Sequence, residues 1–299
     1  MAGIAPAAPA PSFEALKWTA PGSELEILSR QPMACLASPY DLKPSVAAGE
    51  VLFNAPALLG GQAAKAGLSC ASCHRNGRDN PHFLLGGISG TPGTADVTSS
   101  FFGAARGNGT FDPVPIPDLA APGKISRDAD SMELEKFIRT LIVEEFSGRE
   151  PSQRTLSSLA AYVRAIRRCE EDGAADAKQT LRGQAMNIKM ALSAAHSAAS
   201  WDGRDDARLL IAAARHQLGL IAERYPAARF ARERAELLDH SRKLAEIANG
   251  PAGLDRLQTA LDLWLISFDK TVLKRLQRNE VSSLYNPKLL AKQFNAQQK

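Results

Sequence analysis

Apolar residues recur every three or four positions through most of the chain's second half, and this period predicts four amphipathic helices. Breaks fall at Gly203, at Tyr225-Pro226 and at Gly250-Pro251. The apolar stripes are Leu181, Ala185, Ile188, Leu192 and Ala195; Leu209, Ala213, His216 and Leu220; Phe230, Leu237, Leu244 and Ile247; and Leu254, Leu257, Leu261, Trp264, Phe268 and Val272. Because the connections between the stripes are short, we expect an antiparallel helical bundle.

The first half of the chain contains fewer helical patterns. One helix is predicted from about Lys43 to Asn54, a second after Asp130 or Ser131, either of which can cap it, and a third after Pro151. Between the first two, residues 60 to 123 are rich in glycine, proline, serine and threonine. So long an irregular run is unusual in a compact domain, unless a large prosthetic group supplies the core that the loops wrap.

The motif Cys70-Ala71-Ser72-Cys73-His74 indicates such a group. Two thiols spaced i and i+3 on a helical turn lie on one side, where they can form thioethers with the vinyl groups of haem, and the histidine that follows can ligate the iron. The alternatives are a zinc site, a thioredoxin-like dithiol and chance. Zinc requires two further ligands at close spacing, and a redox dithiol requires a surrounding βαβ pattern that is not visible in the sequence. The sequence therefore predicts one covalent haem c, with Cys70 and Cys73 as tethers and His74 as the proximal ligand.

Several segments around this motif resemble bacterial c-type cytochromes, and in detail the cytochrome c peroxidase and MauG group. The similar segments are Gly49-Glu50-Val51-Leu52-Phe53, Leu68 to His74, Met132 to Ile138, Phe146-Ser147-Gly148 and Leu159-Ala160-Ala161-Tyr162-Val163-Arg164. The resemblance covers about residues 45–168, and it implies a cytochrome c fold in which the first and last helices cross. Enzymes of that group use two haems in two such domains, whereas this chain has one motif.

The sequence thus predicts an all-α fold in three parts. These are an extended segment at residues 1–34, where several prolines oppose regular structure, a cytochrome c-type haem domain with long haem-wrapping loops at 35–172, and the helical bundle at 173–299.

The identity of the distal ligand decides what the iron can do. A methionine suits electron transfer, whereas an open position suits the binding of a small oxidant. Met132 lies 58 residues after His74, a separation that resembles the spacing in small cytochromes c, and it is the distal candidate, with His82 as its rival. A methionine at a helix start is also a common gap-filler, and an open iron remains a third alternative.

Three arginines and two further cysteines complete the candidate site residues. Arg75, Arg78 and Arg106 lie in the loop region and are candidates to pair with the haem propionates. Cys35 and Cys169 stand just before the first helix and just after the last helix of the cytochrome-like region. Since the resemblance implies that those two helices cross, a disulfide between Cys35 and Cys169 is expected, and two unpaired cysteines are the alternative.

Composition and charge argue against nucleic-acid binding and against a membrane span. The chain of 299 residues is 44% hydrophobic and 23% charged, with a net charge of +4. Its cations are not dense enough for nucleic-acid binding, and no run of residues is apolar enough for a membrane span. A haem c protein is matured after export, so we expect a periplasmic protein whose export signal has been removed from this sequence.

The expected function is electron transfer between redox protein partners. The alternatives are a peroxidase-like enzyme with an open iron and a haem-bearing subunit of a larger redox complex.

Overall fold

The computed structural model describes residues 12–31, 35–37, 43–98, 102–103, 105, 107–123, 125–168, 177–200, 203–250 and 253–295. Within these residues the chain is predominantly helical, which confirms the all-α class. The helices are α1 (Glu24–Ser29), α2 (Pro44–Phe53), α3 (Pro56–Leu59), α4 (Gly61–Ala66), α5 (Cys70–Cys73), α6 (Glu133–Thr140), α7 (Gln153–Ala165), α8 (Leu181–Ala199), α9 (Arg204–Glu223), α10 (Ala231–Asn249), α11 (Leu254–Phe268), α12 (Lys274–Asn279) and α13 (Pro287–Asn295). Short π-helical turns at Leu141–Glu145 and Asp269–Leu273 extend α6 and α11.

Short antiparallel strand pairs join distant parts of the chain. The strands are β1 (Arg30–Gln31), β2 (Cys35–Leu36), β3 (Thr94–Ala95), β4 (Val114–Pro115), β5 (Ile166–Arg167) and β6 (Ala177–Lys178). They pair as β1 with β6, β2 with β5, and β3 with β4. The irregular run predicted at residues 60 to 123 is wrong at its start, because α4 and α5 lie within it. From Arg78 to Gly123 the described residues form no helix, as the sequence predicts, and β3 pairs with β4 there.

Helices α2 and α7 cross at close range, and a glycine permits the approach. Pro44 begins α2, and the hydroxyl of Ser152 accepts a hydrogen bond from the Thr155 amide at the start of α7. A Cβ placed on Gly49 would lie 2.0 Å from the carbonyl oxygen of Ser158. The observed bounds agree with the helix predicted from Lys43 to Asn54 and with the helix predicted after Pro151.

Helix α6 begins one or two residues later than the capping pattern predicts. Its N-cap is Met132, which provides no side-chain cap, rather than Asp130 or Ser131. The Ser131 hydroxyl instead accepts a hydrogen bond from the Glu133 amide over 3.2 Å. Glu133 and Glu135 lie in the first turn, where their charges favour the helix N-terminus.

The four long helices of the second half contact one another in a closed ring. Helix α8 packs on α9, α9 on α10, α10 on α11, and α11 on α8. Three of the predicted stripes are confirmed, since their members Leu181, Leu244 and Phe268 are buried. The stripe predicted for α9 needs correction, because Ala213 is its one buried member and Ile211, Leu218 and Ile221 form the buried face instead. The bundle also contacts α2, and one apolar cluster runs from Trp18 through the bundle to Leu276. The predicted domain boundary at residues 172–173 lies outside the described residues.

The predicted extended segment at residues 1–34 needs correction where it is described. Residues 12–31 form a 3₁₀ turn (Glu14–Trp18), α1 and β1, and they bury apolar side chains including Phe13, Trp18 and Leu28. The buried guanidinium of Arg224 at the end of α9 donates to the Leu28 carbonyl over 2.8 Å, which fastens this segment to the bundle. The prolines that predicted an extended segment lie outside these short elements, so they do not prevent the elements from forming.

None of the helices in the described ranges is both long and apolar enough to span a membrane.

Candidate haem site

Residues Cys70 to Cys73 of the motif form α5, a single helical turn, and His74 is its C-cap. Ser69 and Ser72 make a reciprocal capping box at its start, and the Ser69 amide donates to the Ser72 hydroxyl over 3.0 Å. The His74 amide closes the turn on the Cys70 carbonyl over 2.8 Å. The spacing of the motif therefore produces the local helix that the sequence predicts, with both thiols available on one side.

Cys70, Cys73 and His74 line one apolar cleft. Apart from these three residues and Ser69, every side chain that lines it is apolar: Phe53, Leu59, Val97, Leu119, Leu134, Phe137, Ile138, Leu141, Ile142, Phe146, Leu159 and Val163. The walls thus come from α2, α6 and α7 together with the loops. The cleft encloses about 150 Å³, less than the ~300 Å³ of a typical small-molecule pocket, so a macrocycle requires its walls to move outward. Phe137, 41% exposed, lies where such opening can occur.

The imidazole of His74 is oriented by a backbone carbonyl. Its Nδ1 lies 3.0 Å from the Pro117 oxygen. A carbonyl oxygen only accepts, so Nδ1 carries the proton and the lone pair of Nε2 is available to a metal. Burial lowers the pKa of His74 to about 4, which keeps the ring neutral near pH 7. His74 is half-buried and lines the cleft.

The two cysteines are half-buried, and their thiols remain protonated near pH 7. Burial raises the pKa of both Cys70 and Cys73 to about 12, and neither is in a disulfide. A thioredoxin-like dithiol requires a lowered thiol pKa, so the environment does not favour that alternative. Thioether formation adds the S–H bond across a vinyl group and does not require a disulfide. The donor set therefore fits haem c.

The structure does not bring either distal candidate to the cleft. Met132 is 46% exposed at the N-cap of α6 and is not among the lining residues. His82 Nε2 lies 3.2 Å from the Glu26 carboxylate, away from the lining. Among the described residues that line the cleft, His74 is the one with an imidazole or thioether.

Two of the arginines expected to pair with the haem propionates, Arg78 and Arg75, form hydrogen bonds within the protein. Arg78 makes a bidentate ion pair with Asp118, with Nε–O distances of 3.0 and 2.9 Å. Arg75 donates to the Arg30 carbonyl over 2.7 Å. Neither lines the cleft, and Arg106 lies outside the described residues.

Sequence reasoning missed Arg127, which connects two walls of the cleft. Its guanidinium donates to the carbonyls of Leu119, Val163 and Ile166, and two of these residues, Leu119 and Val163, line the cleft. The partners are backbone carbonyls far along the chain, so no spacing in the sequence indicates them. Burial, with the neighbouring Arg164 charge, lowers the pKa of Arg127.

Cys35 lies in β2, directly opposite Arg167 in β5. It takes part in a disulfide. The predicted partner, Cys169, lies outside the described residues, so the pairing of Cys35 with Cys169 stays a prediction.

No protein-family model, no curated protein and no solved structure matches this chain, so its function has to be argued from the site itself.

Proposed function

We propose that the chain carries one haem c on Cys70 and Cys73, with His74 as the proximal ligand, and transfers electrons outside the cytoplasm. The observation that carries the proposal is the convergence of two protonated thiols and an oriented neutral imidazole on one apolar cleft. Bound there, the haem supplies a one-electron iron couple.

The residues of the chain then have distinct roles. Cys70 and Cys73 would tether the group. The Pro117 carbonyl accepts a hydrogen bond from His74 Nδ1, which leaves Nε2 of the ring available to the iron. The apolar walls exclude water, and Arg127 keeps two of them together. Since Phe137 both lines the cleft and is 41% exposed, the site lies near the surface, where an edge of the group can face a redox protein partner.

In this proposal Met132 would be the distal ligand. It stands at the N-cap of α6, two residues before Leu134 of the cleft wall, and its side chain is 46% exposed. A periplasmic location follows from covalent maturation after export.

An oxidant-binding, peroxidase-like enzyme is the second candidate. The observation that favours it is the cleft lining, which in the described part of the chain provides one ligand, His74. A five-coordinate iron is open to a small oxidant.

The visible spectrum of the ferric protein distinguishes the two. We expect the parent to be low-spin, and Met132→Ala to become high-spin and to bind carbon monoxide. Met186→Ala is the matched control, because Met186 is 50% exposed on α8, away from the cleft. A high-spin parent would contradict electron transfer through a methionine-ligated iron and favour the enzyme. A low-spin parent unaffected by Met132→Ala would reject Met132 and direct the same test to His82→Ala.

A further inference from the structure

A cavity of about 590 Å³ lies between β1, β6, the end of α9 and the start of α13, and it shares no lining residue with the cleft at His74. We call it the basic cavity. Leu28, Leu284 and Leu290 form its apolar wall, and all three are buried in a small cluster separate from the main core. Its size is that of a small-molecule site.

Two cations face each other at this cavity. Arg30 of β1 and Lys178 of β6 are directly paired across the strands, so their side chains emerge on the same face. Like charges at directly opposite positions repel each other. Both residues line the cavity, and neither forms an ion pair with any residue in the described ranges.

A third cation is buried at the same place. Arg224 is 4% exposed, and its guanidinium donates to the Leu28 carbonyl and to Gln179 Oε1 over 2.8 and 3.0 Å. It lies over the rings of Phe13 and Tyr285, at 5.0 and 5.4 Å from their centroids. Its hydrogen-bond partners are neutral, and no carboxylate of the described residues pairs with it. The charge of the neighbouring Glu223 favours the charged form of Arg224, but burial raises the pKa of Glu223 to about 7, so this carboxyl is only partly ionised near pH 7. A buried charge that is incompletely compensated is costly, and a bound anion would offset that cost.

One acidic residue, Glu280, is found among the residues described around the basic cavity, and its Oε1 already accepts a hydrogen bond from the Leu181 amide over 3.2 Å. The cavity therefore holds three cations against one carboxylate, beside an apolar wall.

We propose that the basic cavity binds a small organic phosphate. Guanidinium and ammonium groups match the charge and hydrogen-bonding geometry of a phosphate, and the leucine wall with Tyr285 suits an apolar or aromatic body. The cavity is much larger than a bare phosphate needs. This inference is independent of the haem, because none of the residues that carry it lies in the haem motif or its cleft.

Calorimetric titration of the full-length protein with phenyl phosphate tests the proposal. We expect saturable binding of one molecule per chain. Arg30→Gln and Lys178→Gln should each weaken it about fivefold or more, since each removes one partly exposed charge. Lys274→Gln is the matched control, because Lys274 is exposed on α12 and does not line the cavity, and it should leave the affinity unchanged. These variants are at the surface, so they avoid the folding defect that a change at buried Arg224 risks.

Two further probes separate the components of the ligand. Benzyl alcohol, which keeps a ring without the charge, should bind at least about tenfold more weakly. Inorganic phosphate should also bind more weakly than phenyl phosphate, and equal affinity would overturn the assignment of an organic ligand. No saturable binding, or binding unchanged in both Arg30→Gln and Lys178→Gln, would overturn the site itself. Binding to vesicles that contain phosphatidic acid without any response to phenyl phosphate would overturn it as well.

Discussion

Glu14 and Glu223 show how single side chains join the N-terminal segment to the bundle. The Glu14 amide donates to Glu223 Oε1 over 3.0 Å, and Glu14 Oε1 lies 3.5 Å from His216 Nε2. Burial raises the pKa of both carboxyls to about 7 and lowers the pKa of His216 to about 4. Near pH 6 the contact between Glu14 and His216 therefore joins neutral partners and is not an ion pair.

The raised pKa values make this junction sensitive to alkaline conditions. A carboxyl whose pKa is higher in the folded state contributes stability below its unfolded value of about 4.5, and loses it as the pH rises through about 7. Glu14→Gln removes this loss. We expect the variant to gain about 1 kcal/mol in unfolding free energy relative to the parent at pH 8, and almost nothing at pH 5, a modest figure because Glu14 is partly exposed.

Urea denaturation at pH 5 and pH 8 measures this difference. Glu246→Gln is the control, since Glu246 is an exposed carboxylate on α10 and should show no comparable gain. Equal effects of Glu14→Gln at the two pH values would show that the Glu14 carboxyl is not protonated in the folded protein.

At the scale of elements, the crossing of α2 and α7 places two walls of the cleft. Phe53 at the end of α2 packs against Tyr162 of α7, with ring centroids 5.1 Å apart, and Phe53, Leu159 and Val163 line the cleft. The crossing depends on Gly49, where a Cβ would lie 2.0 Å from Ser158 O and 2.8 Å from Tyr162 Cβ. The backbone of Ser158 and the packed side chain of Tyr162 cannot easily move away to make room for a Cβ.

Gly49→Ala is therefore expected to destabilise the protein by about 3 kcal/mol, despite the better helix propensity of alanine. Gly86→Ala is the matched control, because no atom lies within 4 Å of the position of its Cβ, and its effect should stay within about 0.5 kcal/mol. The free energy of unfolding of both variants provides the measurement. Similar values for the two would mean that α2 and α7 do not approach as closely as described.

A second contact holds α6 on α7 and responds to acid. Arg164 forms a bidentate ion pair with Glu135 over 2.8 and 2.9 Å, and the Glu135 side chain is 6% exposed. Although the partial burial of Glu135 opposes ionisation, hydrogen bonds and the charge of Arg164 outweigh it, so the pKa of Glu135 is lowered. Its stabilising effect is present above the unfolded pKa and is lost as the pH falls through the folded value.

We expect Glu135→Gln to lower the unfolding free energy by about 2 kcal/mol at pH 7 and much less at pH 3, where the parent has also lost the ion pair. Denaturation of both proteins at the two pH values measures this. A constant difference from pH 7 to pH 3 would contradict an ionised Glu135 in the folded protein.

At the scale of the whole molecule, the pattern of apolar residues predicts the bundle well because its signal is local. The 3.6-residue period of α8 to α11 is visible in any short window, and so is the Cys70–His74 motif. The contacts of Arg127 and Arg224 could not be predicted, since their partners are carbonyls of residues far away in the sequence. The exposure of Met132 could not be predicted either, because it depends on where α6 begins. The N-cap is Met132 itself, in place of the expected serine or aspartate.

The two halves of the molecule should differ in how much they depend on the haem. Helices α8 to α11 pack on one another in a ring of long helices, whereas the described part of residues 78–123 contains no helix and borders the cleft through Val97 and Leu119. In a Cys70→Ser/Cys73→Ser variant, we expect faster amide hydrogen exchange in residues 78–123 and little change in α8 to α11. Uniformly faster exchange in both regions, or no change in either, would contradict a haem that supplies the core of the loops.

Intact-mass spectrometry tests whether Cys70 and Cys73 bind haem covalently, as we propose. The protein is produced with the periplasmic cytochrome c maturation factors, denatured in acid so that any non-covalent haem dissociates, and compared with the Cys70→Ser/Cys73→Ser variant prepared in the same way. We expect the parent protein to be heavier than the bare chain by the mass of one haem, and the variant to have the mass of the bare chain. A parent at the mass of the bare chain, or the same added mass on the double variant, would contradict it.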